Sequence, residues 1–349
     1  MITQVDPVWA HCDEPEKLKP FLSFPKEFWK KSGYKKERKI YTKTLIKNGF
    51  FLSGFASRMS REMGTEYKYS KSFNTTLPKL PGIELRSDQK KLIASAVEKE
   101  RGVLVSPTGS GKTVIAGAII SCYPKETKIL FLCHTISLLT QTKIEFEKWG
   151  FGKISCVGEG EKDLSGRIVV STIQSFSKLD IDERDVFDII IIDECHHCSS
   201  ENSLYYNTLI SMTATIRIGV TATLPTNQEN KLIMEGLLGE VIAETTLQEG
   251  ADLNFLSIPK IKLIRTEKID IKDLYKYPDI YDEVIVTNRA RNRLIINEIK
   301  SQNQMGRTTL TYVSKIEHGK SLLTLAENQN ISIHFIQGAT NGEQRESLR

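Results

Sequence analysis

Two short stretches of this sequence gather side chains able to do chemistry. The first is SPTGSGKT, residues 106–113. Gly109 and Gly111 permit a tight turn and a close approach of backbone N–H groups to anionic oxygens. Pro107, Thr108 and Ser110 complete the loop, Lys112 offers a point charge to outer phosphates, and Thr113 offers a hydroxyl to Mg²⁺. Ser106 stands where the strict pattern has glycine. The second stretch is DIIIIDECHHCSS, residues 188–200. It could be a zinc site, a redox pair or the magnesium end of a nucleotide site. Cys195, His196, His197 and Cys198 are consecutive and could hardly wrap one tetrahedral ion, and no second Cys/His cluster completes a set of four. A redox pair lacks its usual helical context, so Cys198 reads as structural. Asp193 ends an apolar run about eighty residues after the loop, and there it can hold Mg²⁺ through water. Glu194 beside it can orient and deprotonate an attacking water.

That chemistry needs both stretches on one edge of a sheet. Short apolar runs at 102–106, 128–133, 167–171, 187–193 and 217–221 alternate with helical patterns such as 112–121 and 137–149. Strands alternating with helices predict an α/β fold with a parallel sheet, whose ligand sites lie at the C-terminal strand ends. The loop and Asp193 both follow such ends. A second pattern of this kind begins near Ile258: a long helix at 281–300, a strand at 308–313, a helix at 315–326 and a strand at 331–336. It stops within the start of another helix, so this second domain reads as partial. TTLPKLPG, at 75–82, reads as a linker. The expected division is 1–76, 77–254 and 255–349.

The 349 residues, 40% apolar and 26% charged, suit a globular chain of about two domains. Six scattered cysteines fit a reducing compartment, and the polar N-terminus has no apolar signal core, so the cytoplasm is expected. The net charge of +5 is uneven: residues 26–71 hold thirteen Lys/Arg against four Glu. Nine aromatics lie among them: Phe28, Trp29, Tyr34, Tyr41, Phe50, Phe51, Phe55, Tyr67 and Tyr69. Most of these rings read as the core of a small α+β domain. The charge excess points to a polyanion, with Lys30, Lys31, Lys35 and Lys36 as candidate phosphate contacts.

SPTGSGKT, FLCHTISLLTQ, VVSTIQSF, DECH and GVTATLP, in this order, resemble the superfamily two helicases in their DExH form. The resemblance runs from about Glu84 to the end and is strongest to phage UvsW-type recombination helicases, with XPB-like translocases nearby. TLTYVSKIEHGKSL and FIQGATNGEQRE strengthen it. It implies a RecA-like domain followed by a partial second one, with ATP and Mg²⁺ as cofactors. It implies adenine-side contacts by Arg86 and Gln89 in ELRSDQ, and nucleic-acid contacts by Thr135, Gln141, Thr172 and Gln174, with Ser314 and His318 as further candidates. It also implies that His196 couples nucleotide state to Thr221 and Thr223, although those threonines could instead cap the next helix. The arginines with which this group completes its ATP site are not found, and Arg345 and Arg349 lie in the wrong local context. Weak hydrolysis by this chain alone is therefore expected. The expected function is an ATP-dependent motor on branched DNA, the chain most simply a monomer. Alternatives are a DExH RNA helicase, an ATP-gated DNA-binding module without motor activity, and the translocase subunit of a restriction enzyme.

Overall fold

The computed structural model describes residues 1–32, 35–65, 67, 73–266 and 276–337, and of residues 28–32 and 35–37 the backbone alone. Two compact units follow one another, Met1–Ile258 and Pro259–Arg349.

The first unit opens with β1 (Ile2–Gln4), β2 (Trp9–Cys12), a ribbon of β3 (Ser23–Ser32) and β4 (Lys35–Thr44), and β5 (Phe50–Leu52). β6 (Arg101–Val105), β7 (Ile129–Cys133), β8 (Ser155–Gly158), β9 (Glu161–Lys162), β10 (Ile168–Thr172), β11 (Ile189–Asp193), β12 (Ile216–Thr221) and β13 (Val241–Glu244) follow. They form one eight-stranded sheet in the order β13-β6-β12-β11-β7-β10-β8-β9, parallel except where β9 turns back on β8. The five strands expected from apolar runs are all present. β8 and β13 had no such signal, because each is short and half of its residues are polar or small.

The central parallel strands β7, β10, β11 and β12 are buried on both faces, which is why their sequences are largely apolar. Alternate residues divide between two cores. Ile189 and Ile191 of β11 join one, with the helices Ser87–Lys99 and Lys112–Cys122. Ile190 and Ile192 join the other, and its remaining members come in large part from the N-terminal elements: Phe24, Phe51, Phe55 and Met59. The described N-terminal elements up to Met63 therefore cover one face of the sheet and share its core.

Gly54 shows how close that packing is. A Cβ there would lie 2.2 Å from the Glu235 carbonyl oxygen on the helix Gln228–Leu238. Side chains of both regions are paired around this contact. Lys26 meets Glu229, Arg58 meets Glu235 and Arg61 meets Glu240, each at 2.5 Å, and Lys43 pairs with Glu201. Four of the basic residues counted as a free excess are thus engaged with acids of the sheet domain. Among the aromatics, Phe51 and Phe55 are core residues, Phe50 and Tyr41 are exposed, and the Tyr67 hydroxyl donates to Gln4. The side chains of Phe28, Trp29, Tyr34 and Tyr69 lie outside the described residues.

In the second unit the expected long helix is divided. Tyr277–Tyr281 and a wider turn, Asp282–Val286, precede the helix Arg289–Gln304. The break falls at Asn288, whose side-chain oxygen accepts the Arg291 N–H at 2.9 Å and caps the second helix. A periodicity continuous across the break hides it, because a polar side chain competing for backbone groups leaves the apolar spacing intact. The helix Ile316–Glu327 matches expectation. The expected strands at 308–313 and 331–336 are not found among the described residues. Among the described residues neither segment has a ladder partner, and an extended segment without one is not a strand. Val313, Ile331 and Ile333 nevertheless pack on the helix pair through Ile296, Ile299, Leu322 and Ala326.

Candidate active site

Register places the chemistry. Thr221 at the end of β12 pairs with Val105 at the end of β6, and Asp193 of β11 pairs with Val220. Ile192 pairs with Leu132, and Thr172 with Cys133. The loop after β6, the threonine ending β12, the acids ending β11 and the segments after β7 and β10 therefore stand side by side on one sheet edge.

The loop 106–113 turns through Gly109 at φ +84° and Gly111 at φ +80°, where L-side chains are strained. Gly111 immediately precedes the helix Lys112–Cys122, so the unpaired N–H groups of that helix face the loop. The buried hydroxyls of Ser106 and Ser110 are bonded to each other at 2.6 Å. Ser106 thus supports the loop from below. Arg86 and Gln89 both donate to the Ser110 carbonyl, at 2.6 and 3.0 Å. Arg86 is held by two bonds of 3.0 Å to Asp88, and its guanidinium stacks on Phe255 at 3.7 Å from the ring centre. Phe255 lies far away in sequence, with no periodicity or motif to announce it.

Glu194 adopts a left-handed conformation, φ +49° and ψ +48°. For a residue other than glycine this costs on the order of 1–3 kcal/mol and is characteristic of functional sites. It turns the carboxylate across the edge, 3.1 Å from Lys112 Nζ and 3.3 Å from His196 Nδ1. His196 Nδ1 also lies 2.9 Å from Thr221 Oγ1. That hydroxyl donates its single proton to the Thr223 carbonyl at 3.0 Å, so the imidazole donates to it from Nδ1. The alternative of Thr221 and Thr223 as caps of the next helix fails, since Asn227 caps the helix Gln228–Leu238.

Burial, reinforced by neighbouring Glu194, raises the Asp193 carboxyl above its ordinary range, with Lys112 opposing. A half-buried acid with a second acid beside it is a place where a divalent cation would be stabilised. Among the described residues no group of three or more His, Cys, Asp or Glu could hold a metal by itself. Asp193 with the Thr113 hydroxyl instead fits a cation whose other ligands are water and phosphate, as Mg²⁺ prefers. Cys195 and Cys198 are fully buried, and both thiols are pushed well up by that burial.

The residues expected at nucleic acid are placed unequally. Thr135 is exposed, and its hydroxyl accepts the Leu138 N–H at 3.3 Å, capping the helix Ile136–Lys148. Gln141 and Gln174 are exposed, the former donating to Glu145. Thr172 is buried and its hydroxyl caps the helical turn Ile173–Phe176, so its side chain is not presented outward. Ser314 is exposed in the second unit. His318 is corrected: it is buried, and its Nε2 donates to Asn292 Oδ1 at 2.9 Å, while Asn292 Nδ2 donates to the Val286 carbonyl. The side chains of Lys30, Lys31, Lys35 and Lys36, and residues Arg345 and Arg349, lie outside the described residues.

Residues 82–226 match the family of the type III restriction enzyme res subunit. The DNA 3'-5' translocase XPB2 of Sulfurisphaera tokodaii is 30% identical over 181 residues, 52% of this chain and 40% of that protein. The protein named probable helicase D10 of Escherichia phage T5 is 25% identical over 275 residues, 77% of this chain and 57% of that one. The chain thus spans about half the length of these curated relatives. The crystal structure of the UvsW helicase from bacteriophage T4 is similar in fold, with a TM-score of 0.53 at 19% identity over 69% of this chain and 98% of that one. Among the described residues no helix is long and apolar enough to cross a membrane.

Proposed function

We propose that this chain is a superfamily two helicase and, within that group, an ATP-dependent DNA translocase acting on branched DNA in recombination, repair or replication. The observation that carries this reading is the joining of the loop, the DECH segment and Thr221 through Lys112–Glu194 and His196–Thr221 contacts on one sheet edge.

The backbone N–H groups of the loop and the helix N-terminus bind the phosphates of ATP, with Lys112 neutralising the outer oxygens. Arg86 and Gln89 brace the loop from the side where the base would lie. Thr113 and Asp193 would hold Mg²⁺, which would supply charge neutralisation on the transferring phosphoryl group. Lys112 and Glu194 hold each other at 3.1 Å, and phosphate binding draws Lys112 away. Glu194 is then released to take a proton from the attacking water, with His196 Nδ1 beside it at 3.3 Å. His196 passes the state of Glu194 to Thr221 and, through the backbone, to exposed Thr223. Thr135, Gln141 and Gln174 grip one strand, and the basic ribbon β3–β4 meets duplex or junction ahead of it.

The test is ATP hydrolysis by the purified chain alone and with a four-way junction, a fork, single-stranded DNA or RNA. Stimulation greatest with junction or fork is the expected result. A flat rate near background sinks the motor reading and leaves an ATP-gated DNA binder; stimulation greatest with RNA makes it an RNA helicase.

A further inference from the structure

Two histidines outside the assigned machinery stand between the segment that would hold the nucleic-acid strand and the residues that would hydrolyse ATP. His134 follows β7 directly and precedes Thr135. His197 lies on the turn Cys195–Cys198 that follows Glu194. Their rings are stacked, with centroids 4.0 Å apart and planes within 12° of parallel. His197 in turn lies against His196, 4.2 Å between centroids. The result is a column of three imidazoles running from the end of β7 to the His196–Thr221 and His196–Glu194 contacts.

Nothing else observed fixes the first ring. His134 Nδ1 is buried and has no hydrogen-bond partner among the described residues, so its orientation rests on the stack. Burial, followed by the two neighbouring imidazoles, holds His197 below the ordinary imidazole range. β7 and β11 are adjacent strands, but their ladder ends at Ile192↔Leu132. Beyond that pair the two loops have no ladder to hold them in step, and the rings supply a contact between them.

We propose that His134 and His197 are positioning residues that couple strand binding at Thr135 to the orientation of Glu194. This rests on the helicase reading above. Thr135 and His134 are consecutive, so a backbone shift that seats a phosphate at Thr135 moves the His134 ring. A stacked ring cannot tilt without displacing its partner, and His197 is one residue from His196. Coupling carried by a contiguous chain of packed side chains is the physical form such communication takes.

The test uses the full chain and measures linkage. The dissociation constant of a fluorescent non-hydrolysable ATP analogue is measured with and without saturating single-stranded DNA, for the unaltered protein and for His134→Leu, His197→Leu and His197→Phe. In the unaltered protein DNA changes analogue affinity by about fivefold or more, and by reciprocity the analogue changes DNA affinity equally. Both Leu variants bring that factor close to one while each ligand alone binds as before. His197→Phe, which retains a stacking face, keeps most of it. The inference is overturned if the Leu variants keep the full factor, if they bind a single ligand more weakly, if Phe fails as completely as Leu, or if the unaltered protein binds both ligands independently. An unaltered protein that fails to bind either ligand overturns the helicase reading itself, and the inference with it.

Discussion

At the scale of single residues, the site is a set of short polar links, each using a donor or acceptor the others leave free. Lys112 and Glu194 hold each other, His196 donates from Nδ1, and Thr221 passes the link to the backbone of Thr223. This arrangement separates binding from turnover. Lys112→Ala removes the phosphate charge and should abolish binding of ATP, read by titration with a fluorescent analogue. Glu194→Gln keeps the shape and the phosphate contacts but cannot accept a proton. It should bind ATP and hydrolyse it about 10²–10⁴-fold more slowly. Normal turnover by that variant would show that another group is the base.

At the scale of elements, strand ends and helix starts position those residues, and the N-terminal elements support the sheet from behind. The 3₁₀ turn Ser53–Phe55 fits against the helix Gln228–Leu238 only because Gly54 has no side chain. Gly54→Ala should destabilise the first unit by about 1–3 kcal/mol, the usual cost of overpacking, and lower its melting temperature. The opposing atom is a backbone oxygen, which cannot rotate away. An unchanged melting temperature would mean the N-terminal elements can lift off the sheet freely. Gly109 and Gly111 answer a different need, since their positive φ shapes the loop.

At the scale of the whole molecule, charge decides which surface meets a polyanion. Lys26, Lys43, Arg58 and Arg61 are tied to Glu229, Glu201, Glu235 and Glu240, so these four add nothing to a free basic excess. Reversing Lys30, Lys31, Lys35 and Lys36 to Glu should weaken DNA binding and flatten the plot of log K against log salt by about 0.7–0.9 for each DNA phosphate that is no longer neutralised. An unchanged slope would remove the ribbon from the DNA-binding surface.

The sequence by itself determined the glycine loop at 106–113, the acids at 193–194, and the five central strands with the helices between them. Each of these is local: a loop between a strand and a helix, or an apolar run long enough to be buried on both faces. Asn288 and Thr172 show the limit of such reading, because a capping side chain has the same composition as a ligand-binding one. Tertiary structure alone decided that the N-terminal residues share the sheet's core, that His318 is buried on Asn292, that Arg86 lies on Phe255, and that His134 stacks on His197. Those contacts join positions far apart in the chain. Their partners are chosen by register and packing, which leave no period or motif in the residues between them.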